Sequence, residues 1–304
     1  MFDIKIGTVV RADVAAPMIR QLNPKGFESY TLDFNGIAQD ILPKIGEHAK
    51  WVTDALEGQT VSCIGYYGNP ILDKEFRNRL KELIQNAHLY GCSTIGTFAG
   101  FDPDKTVPET IPGFKAAFSE LCEVAEACGV RIGIEGCGRG WDRNSGNIGY
   151  CSHSWELLFD AVDSPALGLE WEPAHAVCQL VDPIPQLRKW AKKVVHLHGK
   201  DGTVAWDVVR SEGIYGGYPY AWDRTPGFGD TNWADIFTIL IMNGFEGSCD
   251  IEGFHDPVHY DDMEWTTQVT SLDYLKRCRG GIEYFRGPDE YRGFQGERKP
   301  GKKA

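Results

Sequence analysis

The sequence predicts a single-domain α/β protein, a (β/α)8 TIM barrel, from three observations. Strand-like and helix-like stretches alternate along almost all of the 304 residues. Eight short apolar runs are typical of parallel strands that are buried on both faces. The composition does not change abruptly along the chain. We therefore expect one barrel domain over residues 1–285, followed by a polar, basic tail over residues 286–304.

The predicted elements follow one another in β/α order. The eight expected strands lie at 4–10, 29–34, 61–67, 94–99, 130–135, 166–172, 193–198 and 247–252. The spacing of apolar residues predicts helices at 41–56, 74–90, 114–128, 154–162, 184–191, 233–243 and 266–277. Glycines that suit a helix C-terminus with positive φ precede four strands: Gly58, Gly91, Gly129 and Gly244. The first helix is the least clear, because two prolines interrupt it.

Charge and cysteine content restrict the possible partners and the compartment. The net charge of −12 argues against nucleic acid and against an anionic membrane surface, since an acidic protein is repelled by both. The nine cysteines contain no Cys-x-x-Cys pair, which favours reduced, mostly buried thiols in a cytoplasmic protein. The sequence shows neither a signal-peptide pattern nor an apolar run long enough to span a membrane.

Four side chains of the kind that bind metals stand at the ends of the last four predicted strands. They are Glu135, Glu172, His198 and Glu252. The carboxyl ends of the strands of a closed barrel meet at one face, so these side chains should converge there. Three carboxylates and one imidazole suit a single divalent cation. The sequence therefore predicts a metalloenzyme.

Two of these assignments have a competitor on the same strand. Glu170 and Glu172 are two positions apart and point to the same side of a strand, and His196 and His198 share that relationship. We prefer Glu172 and His198 because they lie nearer the carboxyl rim, where barrel enzymes place their chemistry.

Further candidates surround the predicted metal site. His175 follows Glu172 by three residues, so it either faces a substrate hydroxyl or bonds backbone at a helix start. His153 follows the fifth strand and is either an acid–base group or a helix cap. The segment 199–232 is long for a loop without function, is rich in aromatic residues, and should cover the catalytic face. It carries Lys200 and Arg224.

Together these residues resemble the xylose isomerase-like superfamily of sugar isomerases and epimerases, including ketose 3-epimerases and the catalytic subunits of C-glycoside deglycosidases. The resemblance spans nearly the whole chain. The motifs that carry it are Gly26-Phe27-Glu28, Ile134-Glu135, Glu172-Pro173-Ala174-His175, His198-Gly199-Lys200-Asp201, Pro226-Gly227-Phe228-Gly229 with Trp233, and Ile251-Glu252. The second ligand of the family is usually an aspartate, and here it is Glu172. The third and fourth strand ends lack the extra histidines of a tri-zinc endonuclease, and Trp222-Asp223-Arg224 replaces the Asp-x-Asp cluster of two-metal aldose isomerases.

The resemblance implies a sugar isomerase or epimerase with one divalent metal ion, Mn²⁺ in first place and otherwise Mg²⁺, Co²⁺ or Zn²⁺. Proton abstraction next to a metal-bound carbonyl would use Glu135 and Glu252, with His153 as a further acid or base. His175, Lys200 and Arg224 would bind a carbohydrate or glycoside. The alternatives are a lyase that cleaves 3-keto-glycosides through the same enolate, and a non-catalytic, metal-containing binding protein. We expect a homo-oligomer, with a small accessory subunit if the protein is a deglycosidase.

Overall fold

A closed barrel of eight parallel strands forms the centre of the computed structural model, which describes residues 2–138, 146–285 and 287. Its strands are β1 (Lys5–Arg11), β2 (Ser29–Asp33), β3 (Thr60–Gly65), β4 (Thr94–Thr97), β5 (Arg131–Glu135), β6 (Leu167–Trp171), β7 (Val194–Gly199) and β10 (Ser248–Ile251). Neighbouring strands follow chain order, and β10 pairs with β1 to close the barrel. The predicted fold class is confirmed.

Helices follow the strands along the chain, and most of them pack apolar residues against the barrel. They are α1 (Ala15–Leu22), α2 (Ala38–Ile41), α3 (Ile45–Thr53), α4 (Lys74–Asn86), α5 (Val107–Cys128), α6 (Ser152–Ala161), α7 (Pro173–Cys178), α8 (Pro183–Trp190), α9 (Trp206–Glu212), α10 (Trp233–Met242) and α11 (Asp262–Cys278). Helix α5 begins seven residues earlier than predicted, because Thr106 and Glu109 form a capping box that overrides the proline and glycine inside its first turns.

The segment between the seventh barrel strand and its helix is more ordered than a simple loop. It contains β8 (Asp201–Val204) and β9 (Ala221–Arg224), which pair antiparallel with Asp201 opposite Arg224, and α9 lies between them. A small apolar cluster beneath the hairpin joins it to α7 through Val177, Val204 and Tyr220. The hairpin is thus packed against α7 beside the carboxyl end of the barrel.

Three sequence-based expectations concern the rest of the chain. Within the described ranges, no helix has the length and apolar content needed to cross a membrane. All nine cysteines belong to the described residues and carry free thiols, and four of them are buried. Except for Gly287, the predicted C-terminal tail at 286–304 lies outside the described residues.

Candidate active site

Four buried side chains meet at the carboxyl end of the barrel. Glu135 is the last residue of β5, Glu172 directly follows β6, His198 lies near the end of β7, and Glu252 directly follows β10. One ligand atom from each lies within 4.8 Å of the ligand atoms of the other three. The structure therefore brings together the four residues that the sequence analysis assigned to a metal, and we call them the acidic cluster.

The acidic cluster contains polar atoms without hydrogen-bond partners among the described residues. Both carboxylate oxygens of Glu172, Oε2 of Glu252 and Nδ1 of His198 are buried and unpaired. His198 Nδ1 lies 3.3 Å from Glu252 Oε2 and 3.6 Å from Glu172 Oε2. Leaving such groups buried without partners costs free energy, and one divalent cation among them would satisfy all of them. Three carboxylates and one imidazole nitrogen suit Mg²⁺, Mn²⁺, Co²⁺ or Zn²⁺.

Burial and the neighbouring charges shift the pKa values of the cluster residues in different directions. Burial raises the pKa of Glu172 to about 7. Burial also opposes charge on Glu135, yet the hydrogen bond with His175 and the attraction of the nearby His198 outweigh it and lower the pKa of that carboxyl. Burial disfavours a charged His198, but the neighbouring carboxylates, Glu170 foremost, raise its pKa well above the usual value. Burial thus disfavours negative charge on Glu172, and a bound cation would compete with protons for the carboxylates of the cluster.

His175 and Lys200 lie at the edge of the acidic cluster. His175 Nε2 is 3.2 Å from Glu135 Oε1 and 3.4 Å from Glu172 Oε2. Lys200 Nζ is 3.2 Å from Glu252 Oε1 and lies 4.8 Å from the centre of the Phe254 ring. Burial alone would lower the pKa of Lys200. The attraction of Glu252 and Glu172 is stronger and raises the pKa above its usual value, so the ammonium stays charged.

A cavity of about 800 Å³ opens above the acidic cluster. Its volume is in the range of cavities that bind small molecules. The side chains that line it are mainly polar near the cluster, with aromatic rings around the walls: Tyr67, Phe98, Glu135, His175, His198, Lys200, Tyr220, Glu252 and Phe254. A small molecule in this cavity would contact the acidic cluster directly.

His153 lies outside the site, which corrects the sequence-based placement. It is in the first turn of α6, its side chain is 79% exposed, and its Nδ1 is 3.7 Å from Glu156 Oε2. The position of a residue around a helix decides which way it faces, and the sequence did not fix the start of α6 well enough to show it. His153 is a surface residue.

Arg224 also departs from the predicted placement. Its Nε is 3.3 Å from Asp256 Oδ2, and its side chain does not line the cavity. Side chains alternate along a strand, and Ala221 and Asp223 of β9 take the cavity side. The structure therefore does not support the expectation that Arg224 touches substrate, which stays a prediction, and Asp223 is the residue of β9 that reaches the cavity with a polar group.

Asp201, in the His198-x-x-Asp201 motif, fixes a loop. Its fully buried carboxylate accepts hydrogen bonds from Trp233 Nε1 and from the backbone N–H groups of Gly227 and Thr231. The Pro-Gly-x-Gly segment is thereby held against the barrel. The contribution of Asp201 to the site is indirect.

A second layer of ionisable groups lies below the acidic cluster; sequence reasoning considered Glu170 and His196 only as alternatives to the chosen ligands and missed Asp250. His196 lies between two fully buried carboxylates, with Nδ1 2.8 Å from Glu170 Oε1 and Nε2 2.9 Å from Asp250 Oδ2. The available signal was glycine: a Cβ on Gly96 would lie 2.4 Å from Glu170 Oε2, and one on Gly7 would lie 2.1 Å from Asp250 Oδ1. Gly96 on β4, and Gly7 on β1 where it pairs with Asp250, make room for these carboxylates.

The fold and the site together define the class of protein, a (β/α)8 barrel with a candidate metal centre at the carboxyl end of its strands. Residues 25–278 match the model of the family described as the xylose isomerase-like TIM barrel. The chain belongs to that family.

Three proteins with similar sequences or structures can be compared with this chain. The Bacillus subtilis (strain 168) protein YfiH is 26% identical over 279 residues, which cover 78% of this chain and 84% of YfiH. An inosose dehydratase of Clostridium tetani is 28% identical over 119 residues, 38% of this chain and 39% of the dehydratase. The structure of the E. coli 3-keto-D-glucoside 4-epimerase YcjR has a TM-score of 0.68 and 15% identity, covers 90% of this chain and 100% of that one, and shows the likeness of fold alone.

Proposed function

We propose that the protein is a divalent-metal-dependent enzyme that isomerises or epimerises a sugar or a sugar derivative. The observation that carries the proposal is the acidic cluster, with its buried and unpaired oxygen and nitrogen atoms, at the floor of a cavity large enough for a small molecule. A divalent cation held by Glu135, Glu172, His198 and Glu252 would supply a Lewis acid that acidifies the C–H bond next to a carbonyl.

Glu135 and Glu252 are the residues that we assign to proton transfer. They approach the acidic cluster from β5 and β10, which are separated in the barrel by β6 and β7. A substrate between them has one carboxylate on either side, so one residue can remove a proton and the other can return it on the opposite face.

His175 and Lys200 are the residues that we assign to substrate binding. His175 lies beside Glu135, from which it can donate to or accept from a substrate hydroxyl. The Lys200 ammonium lies beside Glu252 in a buried setting, where a fixed positive charge stabilises negative charge that develops on a substrate oxygen. Aromatic walls at Tyr67, Phe98 and Phe254 suit the apolar face of a sugar ring.

Elimination is the second candidate, and the similarity to an inosose dehydratase favours it. It begins with the same proton abstraction by Glu135 or Glu252. If a leaving group stands on the next carbon, that group departs as the C–H electron pair forms a double bond. The lyase expectation for 3-keto-glycosides is one form of this reaction.

The experiment is turnover in D₂O. Chelated protein is reloaded with Mn²⁺, Mg²⁺, Co²⁺ or Zn²⁺ and incubated with free ketoses, keto-inositols and 3-keto-glycosides, and products are followed by NMR and mass spectrometry. An isomerase or epimerase gives a product of unchanged mass apart from deuterium, whereas elimination gives an unsaturated product and a released group. Full activity after complete removal of the cation would contradict both candidates. A reloaded protein that binds these compounds without converting any would favour the non-catalytic binding protein.

A further inference from the structure

We propose that Glu170 is a positioning residue, which accepts a hydrogen bond from Nε2–H of His198 and thereby directs Nδ1 of that ring at the cation. The inference rests on the metal site of the proposed function and adds a residue that the ligand set does not include. Glu170 lies on β6, two residues before Glu172, and its side chain is fully buried.

The two nitrogens of His198 face different groups. Nε2 is 3.3 Å from Glu170 Oε1 and 3.5 Å from the Tyr67 hydroxyl, which itself donates to Glu170, so both neighbours of Nε2 can accept its proton. Nδ1 faces Glu252 at 3.3 Å and Glu172 at 3.6 Å. A neutral imidazole carries its proton on one nitrogen and a lone pair on the other. A carboxylate acceptor at Nε2 selects the form with the lone pair at Nδ1 and holds the ring plane. The unpaired nitrogen of His198 is then directed into the acidic cluster.

Glu170 is itself held in place from three sides. His196 Nδ1 is 2.8 Å from its Oε1, and the Tyr67 hydroxyl donates to its Oε2 at 2.8 Å. Gly96 on β4 provides the space for this carboxylate, since any Cβ there would lie 2.4 Å from Oε2. With both oxygens engaged and a fitted space around it, Glu170 has a single position, which is what an orienting acceptor requires.

Asp250 provides an internal comparison. It is as deeply buried as Glu170 and contacts the other nitrogen of the same His196 at 2.9 Å. Its remaining partners are the hydroxyls of Ser29, Thr31 and Ser62. If the second layer had only a structural role, substitution of Asp250 and of Glu170 should have the same effect on metal binding. Only Glu170 contacts His198, and this contact distinguishes the two carboxylates.

The test compares Glu170→Gln with the matched control Asp250→Asn in the full-length protein. Each variant is freed of metal with a chelator and titrated with Co²⁺ alone, with affinity from calorimetry and ligand geometry from the visible spectrum of Co²⁺. We expect Glu170→Gln to weaken Co²⁺ binding about 10- to 100-fold and to change the spectrum, as loss of a hydrogen-bonded carboxylate behind a ligating histidine does. We expect Asp250→Asn to lower Tm but to keep the wild-type Co²⁺ affinity and spectrum.

A second measurement does not depend on any variant folding. Long-range ¹H–¹⁵N NMR correlations of the wild-type protein with Zn²⁺ should show the metal on Nδ1 of His198 and the proton on Nε2. The proposal is overturned if the nitrogens have the reverse roles, if Glu170→Gln binds Co²⁺ as the wild type does, or if both variants weaken binding in proportion to their loss of Tm. A wild-type protein that binds neither Co²⁺ nor Zn²⁺ would overturn the metal site itself, and the positioning role with it.

Discussion

His198 Nε2 lies 3.3 Å from Glu170 Oε1, while Nδ1 of the same ring lies 3.6 Å from Glu172 Oε2. Two glutamates from one strand thus contact opposite ends of one imidazole. Glu170 lies inside the barrel, and Glu172 lies one step further along, where the strand gives way to α7. The two glutamates therefore have different roles: Glu170 lies below the imidazole ring, and Glu172 lies beside the proposed cation.

The first prediction concerns Glu172. We expect Glu172→Gln to lose the cation, because an amide presents at most one oxygen and no charge to it. The Tm of the metal-free variant should rise, since the substitution removes a buried carboxylate that lacks hydrogen-bond partners. Metal content by mass spectrometry and a thermal melt check both. Glu246→Gln, at an exposed position, is the control, and a Glu172→Gln protein with full metal content would refute the assignment.

The second prediction concerns two histidines with contrasting positions. His175→Ala should lower kcat/KM by about 10²- to 10⁴-fold, the usual contribution of a positioned acid–base or binding group, while metal stoichiometry stays at the wild-type value. His153→Ala is the matched control and should leave the kinetics unchanged, because its side chain is 79% exposed. Loss of metal from His175→Ala would mean that this residue is a ligand rather than a substrate contact.

The third prediction concerns the pair of Arg224 and Asp256. Burial disfavours the charged form of Asp256, but the backbone N–H groups of Thr225, Val258 and His259 outweigh it and lower its pKa from 3.8 to about 2. A carboxyl whose pKa is lowered by folding stabilises the folded state above its unfolded pKa, and the contribution is lost as the pH falls through the folded value. Asp256→Asn should therefore lower Tm at pH 7 and flatten the change in Tm between about pH 4 and pH 2.

The Arg224→Gln variant completes this test. Arg224 contacts Asp256 and does not line the cavity, so we expect Arg224→Gln to reduce Tm slightly and to leave KM close to the wild-type value. A large increase in KM with an unchanged Tm would restore Arg224 as a substrate contact.

The fourth prediction concerns the glycine that faces Glu170. Gly96→Ala should destabilise the protein by about 1–3 kcal/mol, as overpacking of a filled interior usually does. The reason is that the added Cβ would lie 2.4 Å from Glu170 Oε2. Gly46→Ala in the first turn of α3 is the control: nothing lies within 4 Å of the added carbon, and alanine is a better helix former than glycine. Urea unfolding of both variants measures the change in the free energy of unfolding. Equal changes would contradict the claim that Glu170 fills the space beside Gly96.

The sequence predicted the barrel well because eight apolar runs and their helices each carry a local pattern. Glu135, Glu172, His198 and Glu252 were found for the same reason, since a strand end is visible in sequence. The hairpin of β8 and β9 was missed because it pairs residues some twenty positions apart across α9, and no local pattern records that pairing.

The positions of His153 and Arg224 were mispredicted for a different reason. The sequence shows that His153 follows a strand and that Arg224 lies in a long connection, but the direction of each side chain depends on helix phase and strand alternation. Asp250 was overlooked because a buried carboxylate looks in sequence like any polar residue within a strand, and Glu170 was considered only as an alternative metal ligand to Glu172. The space that Gly96 leaves for Glu170, and Gly7 for Asp250, is visible only in the structure.

The most direct test of the central claim is a crystal structure of the chelated protein soaked in Mn²⁺, with anomalous scattering data that locate the metal. The account predicts one strong anomalous peak among Glu135 and Glu252 carboxylate oxygens, a Glu172 oxygen and Nδ1 of His198, at metal–ligand distances of about 2.0–2.3 Å. A fully soaked crystal with no peak at these four side chains, or with its strongest peak at Glu170 and His196, would contradict it.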